Sequence, residues 1–209
     1  MKKVALLIDG GHLRVQAKKD GHRYNPDFIE KVAHACVIEA EELFRIFYYD
    51  CPPFSGTKPG EISGKDIVFS RADEWLHELA TRDLFAVRLG VLKFRGWKLK
   101  KKRKGTLLVA PSLSTNPPPQ GKVLSDDDFR PDFEQKGVDM RIGIDIASMA
   151  DRRVVERIIL ITADTDCIPA MKYGRIGGLQ VVAITLPNAG LTREFLAHVD
   201  IKRAIAWPK

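Results

Sequence analysis

The stretch of residues 157–166, which reads RIILITADTD, decides the fold of this chain. Its centre, residues 158–161, is continuously apolar, which is typical of a strand that is buried on both faces of a parallel sheet. The strand runs directly into two acidic residues, Asp164 and Asp166. Because ligands of parallel sheets bind beyond the carboxyl ends of the strands, these two residues predict a polar site at that edge.

Further strand and helix signals surround this stretch. Apolar, β-prone runs predict strands over residues 4–8, 43–49, 84–92 and 179–186. Apolar spacing predicts helices over residues 26–42, 66–80, 138–149, 168–176 and 192–204, the first of them capped by Asn25. Because strands and helices alternate, we predict an α/β protein. The architecture expected is a three-layer α/β/α sandwich around a central, mostly parallel sheet.

Residues 93–131 interrupt this alternation. Their sequence predicts a return strand over 106–110, an extended or flexible loop over 111–120, and the start of an acidic turn over 126–133. We therefore expect one domain over residues 1–205 with a basic hairpin or loop insertion at about 93–131. The insertion is not predicted to form a second domain, because by itself it contains too few apolar residues for a core.

The positive charge of the chain is concentrated in this insertion. The sequence carries 34 Lys and Arg against 27 Asp and Glu, a net charge of +7. Residues 93–104 (KFRGWKLKKKRK) hold eight basic residues and no acidic one, and the rest of the chain holds 26 basic and 27 acidic residues. A local patch of this kind predicts a polyanionic partner.

RNA is the partner that we expect for this patch. Lys and Arg would contact phosphates without reading the sequence, and an aromatic ring would stack on a base. The alternative is a solvated hairpin without a ligand. The candidate nucleic-acid-binding residues are Lys93, Arg95, Trp97, Lys98, Lys100, Lys101, Lys102, Arg103 and Lys104.

Several functional classes are disfavoured. No apolar run approaches the roughly 20 residues that span a bilayer, so no membrane partner is expected. The apolar part of MKKVALLIDGG is too short for a signal peptide, and Cys36, Cys51 and Cys167 lack metal-ligand spacing, so we expect a reduced, cytoplasmic setting. The sequence has neither a Walker A motif nor a GxGxxG motif, which disfavours ATPases and Rossmann dehydrogenases. The sequence does not decide between a monomer and a homodimer.

Four aspartates, Asp9, Asp139, Asp164 and Asp166, stand at the ends of predicted elements. If the strands at 4–8 and 157–162 are neighbours, Asp9 converges with the last two. Carboxylates so close together cannot all be ionised without a cation. Oxygen ligands favour Mg²⁺ or Mn²⁺, which suits phosphodiester hydrolysis. The alternative is that Asp164 or Asp166 only caps the following helix.

The order of these motifs resembles the NYN domain family of PIN-like nucleases, in particular its bacterial LabA-like group. The matching segments are residues 8–10 (IDG), 136–139 (KGVD), Asp145, residues 161–166 (ITADTD) and the glycine pair at 177–178. The resemblance implies a compact α/β/α sandwich and a metal-dependent nuclease that acts on RNA. It also implies that the catalytic residues and metal ligands are Asp9, Asp139, Asp164 and Asp166.

The chain departs from the family at a few positions. The family has an Asn soon after its first Asp-Gly, where this chain has Gly11-His12. The family also has Ser-Gly before DxD, where this chain has Thr162-Ala163. His12 would replace the Asn by hydrogen bonding a phosphate, or else it has no role, and Lys136 would approach phosphate. Asp145 lies six residues beyond Asp139, about 240° around a helix, so it is expected to support the site or to be structural.

Three functions follow as hypotheses. The leading one is an Mg²⁺- or Mn²⁺-dependent ribonuclease, preferably an endoribonuclease, that acts on single-stranded or structured RNA, with DNA as a further substrate class. The alternative is a non-catalytic RNA-binding or regulatory module of the same fold. A third is a small-molecule phosphatase that uses the DxD acids.

Overall fold

The structure is a computed structural model that describes residues 1–100, 108–109 and 122–208. The strands are β1 (Lys2–Asp9), β2 (Glu41–Asp50), β3 (Gly56–Pro59), β4 (Asp66–Phe69), β5 (Phe85–Leu89), β6 (Val91–Leu99), β7 (Leu108–Val109), β8 (Lys122–Val123), β9 (Phe129–Lys136), β10 (Arg157–Ile161), β11 (Gln180–Thr185) and β12 (Ile201–Ala204). The helices are α1 (Gly10–Lys19), α2 (Pro26–Ala35), α3 (Glu74–Ala80), α4 (Val138–Arg152), α5 (Ile168–Ile176) and α6 (Arg193–Leu196). None of the helices in these ranges is long and apolar enough to cross a membrane.

The chain forms two compact units. The first consists of Met1–Pro52, Asp73–Val91 and Lys136–Lys209, and the second of Pro53–Ala72 and Leu92–Gln135. The first unit holds a parallel sheet in the order β12-β11-β10-β1-β2-β5. The chain leaves β1 through β2 and β5 and returns to β10 on the other side of β1. β1 and β10 are therefore neighbours, which meets the condition for Asp9 to converge with Asp164 and Asp166, and strand order reverses between them.

Helices cover both faces of this sheet, so the predicted three-layer sandwich is confirmed. Successive side chains of a strand point to opposite faces. Leu6 and Ile8 of β1 are buried in the cluster that α1, α2 and α3 build on one face. On the other face Tyr49 of β2 reaches α4, where its hydroxyl donates a hydrogen bond to Asp145 (2.8 Å).

Small residues let α4 and α5 approach each other closely on that second face. The Cα of Gly143 lies opposite Ala170, and a Cβ added at Gly143 would be 3.6 Å from the Cβ of Ala170. A Cβ at Gly174 would be 3.0 Å from Ile146 Cγ2, and one at Gly177 would be 2.9 Å from Ala150 Cβ. Residue numbers rise together along these pairs, so the two helices run in the same direction.

The second unit has an aromatic core. Its strands β3 and β4 form an antiparallel pair, and β6 pairs with β9. Five rings lie with centroids 5.3–6.3 Å apart: Phe54, Phe69, Phe94, Trp97 and Phe133. Residues 93–131 by themselves contain too few apolar residues for a core. Residues 53–72 supply the missing rings, because the two segments meet only in the folded chain.

A positive backbone angle at Gly96 explains how two of these rings share a face. Phe94 and Trp97 are three residues apart and would point to opposite faces of a regular strand. Gly96 has φ +116°, a conformation that side-chain-bearing residues rarely adopt. This irregularity shifts the alternation by one residue, so that both rings enter the core while Arg95 and Lys98 stay exposed.

Some predicted elements were wrong. Residues 66–80 were expected to form one helix, but 66–69 form β4, which pairs with β3, and only Glu74–Ala80 is helical. The last helix was expected to reach residue 204, but α6 ends at Leu196 and Ile201–Ala204 joins the sheet beside β11. The first predicted helix ends at Ala35 and not at residue 42. In the first two cases strand pairing overrode a local helical pattern.

The surroundings of the first motif and of the insertion also differ from expectation. The sequence patterns predict no helix over residues 10–19, yet α1 begins at Gly10 with Asp9 as its N-cap. The basic strand β6 pairs with β9, and the described part of the predicted return strand, Leu108–Val109 (β7), pairs with β8. The acidic turn is confined to Asp126–Asp128, since Phe129 begins β9. Residues 111–120 lie outside the described ranges.

Candidate active site

Asp9 stands where β1 ends and α1 begins. Its Oδ1 accepts a hydrogen bond from the His12 backbone N–H (2.9 Å), which caps the helix. Its Oδ2 accepts one from the Thr162 hydroxyl (3.1 Å). Burial raises the pKa of Asp9, while the two hydrogen bonds and His12 oppose that shift. The carboxylate is thus held in a fixed orientation in a place that disfavours its charge.

Thr162 connects Asp9 to the DxD motif. This residue follows β10 and is 2% exposed. Its hydroxyl donates to Asp9 and accepts from the Asp164 backbone N–H (3.1 Å), which uses the donor and an acceptor of one hydroxyl. Asp164 in turn accepts from the Asp166 N–H (2.9 Å) and caps the 3-10 turn Thr165–Cys167. Asp164 thus caps this turn and not α5, whose N-cap is Cys167, and the same residue is linked to Asp9 through the Thr162 hydroxyl.

Asp139 joins these acids from the first turn of α4. Gly137, with φ +80°, precedes the helix in the left-handed conformation. Burial raises the pKa of Asp139, and the charges of Asp164, Asp9 and Asp166 raise it further. The same four carboxylates act on the Cys167 thiol, whose pKa is raised to about 12, first by burial and then by their charges. The four aspartates therefore lie within electrostatic reach of one another at the switch point of the sheet.

The four carboxylates have the oxygen atoms that a hard divalent cation prefers, but their side chains are not yet arranged around a cation. Carboxylate oxygens are the ligands that Mg²⁺ and Mn²⁺ prefer, and a cation would relieve the repulsion. Within residues 1–100, 108–109 and 122–208, however, no three or more His, Cys, Asp or Glu side chains are arranged to hold a metal ion. A bound cation would have to draw the aspartates together.

The supporting residues that the sequence suggested lie in different places. His12 is half-buried in the first turn of α1, and its pKa is lowered by burial, against the opposing charge of Asp9. Lys136 is exposed at the end of β9. Asp145 accepts hydrogen bonds from Tyr49 (2.8 Å) and Arg88 (3.3 Å). Asp145 thus ties α4 to the sheet, which favours the structural interpretation of this residue.

A fifth carboxylate, which the sequence argument missed, lies beside the four. Asp50 ends β2 next to Asp9 and is 0% exposed. It binds the guanidinium of Arg14 through both oxygens, at 2.6 and 3.0 Å. The signal for it was present, because residues 43–50 (LFRIFYYD) form an apolar run that ends in an acid, as residues 4–9 do.

Part of the basic patch is already occupied by contacts inside the second unit. Arg95 pairs with Glu134, Lys98 pairs with Asp132 (2.8 Å), and the Lys100 ammonium donates to the Asp127 carbonyl (2.7 Å). These three residues and Lys93 are exposed. Lys101, Lys102, Arg103 and Lys104 lie outside the described residues.

Trp97 also has contacts inside the second unit. Its ring packs on Phe69 and Phe94, and its indole N–H donates to the Pro59 carbonyl (2.9 Å). The ring is half-buried, so part of its surface is covered by these contacts. Stacking of this ring on a base stays a prediction.

Comparisons with known proteins bear on the fold. No protein-family model and no curated protein matches this sequence. The chain is similar to the crystal structure of VPA0982, a protein of unknown function from Vibrio parahaemolyticus, with a TM-score of 0.52 and 16% identity. The alignment covers 98% of this chain and 93% of that one. At this identity the likeness shows a shared α/β fold alone.

Proposed function

We propose that this protein is a divalent-metal-dependent ribonuclease of the kind that the NYN-like motifs suggest. The observation that carries the proposal is the convergence of Asp9, Asp139, Asp164 and Asp166 at the switch point of the parallel sheet. Burial raises the pKa of Asp139, and the charges of Asp164, Asp9 and Asp166 raise it further, which places these three carboxylates close to Asp139. Such a cluster is what a phosphoryl-transfer site needs to attract Mg²⁺ or Mn²⁺.

The residues around this cluster have distinct parts in the proposed reaction. When bound, the cation would supply charge for a phosphate oxygen and for an attacking water. Thr162 and the His12 backbone hold the Asp9 carboxylate in place through the two hydrogen bonds described above. Burial lowers the pKa of His12, which favours a neutral ring that can donate a hydrogen bond to substrate without adding charge.

RNA is the proposed substrate because of the basic strand in the second unit. Lys93, Arg95, Lys98 and Lys100 are exposed there, and a polyanionic backbone matches exposed cations. Phosphates of the RNA would replace Glu134 and Asp132 as the partners of Arg95 and Lys98. The described cysteines are free and buried, which agrees with a proposed site of action in the cytoplasm.

The proposal is tested by RNA cleavage with Mn²⁺ and with EDTA. We expect Asp9→Asn and Asp164→Asn to lower cleavage by roughly 100-fold or more, because each removes a charge that stabilises the transition state through the cation. Asp83→Asn, at an exposed turn after α3, is the matched control and should cleave like the wild type. Equal cleavage by all four proteins would exclude the assigned site.

A non-catalytic RNA-binding module is the second candidate. It is favoured by the absence, within the described residues, of a ready-made metal-ligand group, and by Gly11-His12 in place of the family's Asn. It predicts RNA binding that persists in EDTA, with no cleavage under any divalent metal. Activity on a generic phosphomonoester with no effect of RNA would instead support the small-molecule phosphatase.

Both RNA hypotheses predict a salt-dependent contact with β6. Charge reversal by Lys98→Glu with Lys100→Glu should weaken RNA binding and lower the slope of log K against log salt by about 1 per lost phosphate contact. Fluorescence anisotropy with a labelled single-stranded RNA measures this slope. Lys202→Glu, an exposed change on β12, is the control. An unchanged slope in the double variant would show that β6 does not contact RNA.

A further inference from the structure

A buried polar network lies beneath the first turn of α1, outside the four proposed catalytic aspartates. At its centre is Asp50, which has no solvent exposure. Its carboxylate accepts hydrogen bonds from Arg14 (2.6 and 3.0 Å), from the Tyr48 hydroxyl (3.0 Å) and from the Cys51 backbone N–H (2.7 Å). Such a bidentate, fully satisfied pair has a well-defined geometry.

The pleat of β2 explains why these groups meet. Side chains two residues apart point to the same face of a strand, so Tyr48 and Asp50 lie on the α1 side while Tyr49 points to α4. Arg14 is on α1 itself, one turn after the helix begins. The Arg14–Asp50 pair therefore joins α1 to the end of β2.

The network also reaches the residue that follows Asp9. The Tyr48 hydroxyl is 2.7 Å from that of Tyr24, and the Tyr24 hydroxyl is 3.3 Å from the Gly10 carbonyl. A Cβ at Gly10 would lie 2.4 Å from the Tyr48 oxygen and 2.8 Å from Asp50 Oδ2. The backbone at residue 10 therefore rests directly on the network, which explains the glycine in the IDG motif.

A buried ion pair is seldom needed for stability, because well-packed apolar residues of the same volume often stabilise as much or more. What such a pair adds is orientation. Here it holds α1 at two points, Gly10 and Arg14. Since the His12 N–H of the same helix binds Asp9 Oδ1, the orientation of α1 sets the orientation of the Asp9 carboxylate.

We infer that Asp50, Arg14 and Tyr48 are positioning residues, which orient Asp9 toward the proposed cation and His12 toward the reacting phosphate without touching either ligand. This inference rests on the proposed function, because it assigns the network a part in that reaction. Removal of a group that supports a metal ligand typically lowers metal affinity or activity by about 10- to 100-fold. We expect an effect of roughly that size here.

The test compares two adjacent, fully buried tyrosines that lie on opposite faces of β2. Tyr48→Phe removes the hydroxyl between Asp50 and Tyr24, and Tyr49→Phe removes an equally buried hydroxyl that binds Asp145. We expect Tyr48→Phe to lower kcat for RNA and Mn²⁺ affinity, the latter by titration calorimetry, by roughly 10-fold or more with little change in KM. Tyr49→Phe should keep both near wild type at a similar Tm.

Two further variants separate geometry from charge. Arg14→Lys keeps the positive charge but loses the bidentate contact, and Asp50→Asn keeps the shape but loses the charge. Both should lower kcat as Tyr48→Phe does if positioning is the role. Recovery of wild-type kcat in Arg14→Lys would show that only the charge matters, and this would overturn the inference.

The outcomes for the inference and for the proposed function differ. If the wild type cleaves RNA with Mn²⁺ and Tyr48→Phe cleaves equally well, the inference fails and the function stands. If the wild type neither cleaves nor binds Mn²⁺, the proposed function fails. Hydrogen exchange at the His12 amide then decides the positioning role, because faster exchange in Tyr48→Phe than in Tyr49→Phe supports it and equal exchange overturns it.

Discussion

Gly10 shows how neighbours that are distant in the sequence determine a single residue. Helix propensity by itself favours Ala over Gly by about 1 kcal/mol within a helix. The structure reverses this preference, because the Tyr48 hydroxyl occupies the space that a methyl group would need. Tyr48 is fully buried and cannot move into solvent. The motif glycine is therefore explained by packing against β2 and not by the local turn.

Gly10→Ala is predicted to lower the free energy of unfolding by about 1–3 kcal/mol, the usual cost of overpacking a filled site. Urea denaturation followed by circular dichroism measures the change. Gly190→Ala is the control, because a Cβ there meets no atom within 4 Å and the backbone angle is ordinary. A Gly10→Ala protein that is as stable as Gly190→Ala would contradict the packing argument.

At the scale of elements, the contact between α4 and α5 decides where Asp139 lies. The pairs 143 with 170, 146 with 174 and 150 with 177 advance in step. One turn earlier, the same register places residue 139 beside residue 166. The charge of Asp166 does act on Asp139. Small residues along two helices thus bring the KGVD and DxD motifs together, although 25 or more residues separate them in sequence.

Gly177→Ala is predicted to destabilise the protein by about 1–3 kcal/mol, since its Cβ would lie 2.9 Å from that of Ala150. Ala150→Gly should cost about 1 kcal/mol by itself through helix propensity. The double variant should be more stable than the sum of the two single effects, because the clash is gone. Additive effects in this double-mutant cycle would show that the two helices do not touch there.

At the scale of the first unit as a whole, an ionic cluster lies at the end of the sheet opposite the four aspartates. Glu41 of β2 pairs with Arg157 of β10 and with Arg203 of β12 (2.8 Å). Burial tends to raise the pKa of Glu41, but hydrogen bonds from Arg203, the Ile38 N–H and Arg157 outweigh it and hold the pKa at about 2. The cluster therefore ties the last strand of the chain to the centre of the sheet.

This lowered pKa predicts an acid-sensitive stability. The ordinary pKa of Glu41 is 4.5, so its stabilising effect is fully present above that pH and is lost as the pH falls from 4.5 to about 2. A shift of this size corresponds to about 3 kcal/mol at neutral pH. Glu41→Gln should be less stable than the wild type at pH 7 by a similar amount, and the difference should shrink toward pH 2.

Urea unfolding at several pH values between 7 and 2 measures this difference. Glu42→Gln, an exposed change next in the chain, should follow the wild type at every pH. A Glu41→Gln deficit that stays constant down to pH 2 would show that the ionised carboxylate is not what stabilises the cluster.

Much of the first unit follows from the sequence by itself. The apolar runs at 4–8 and 157–162 are buried strands, Asn25 caps the helix that begins at Pro26, and α4 starts at the KGVD motif. These features are local, because burial on both faces, capping and helical spacing leave their mark within a few residues. The same local logic placed Asp9, Asp139, Asp164 and Asp166 at the ends of elements.

Only the tertiary structure decided the rest. Residues 66–69 and 201–204 became strands because distant strands offered them partners, and Trp97 packs on Phe69, a ring that the distant segment 53–72 supplies. Asp50 and Arg14 met because β2 lies beside β1 and below α1. Pairing and burial between distant segments are free-energy terms that no local window contains, so the positioning network and the second core appear only once the chain is folded.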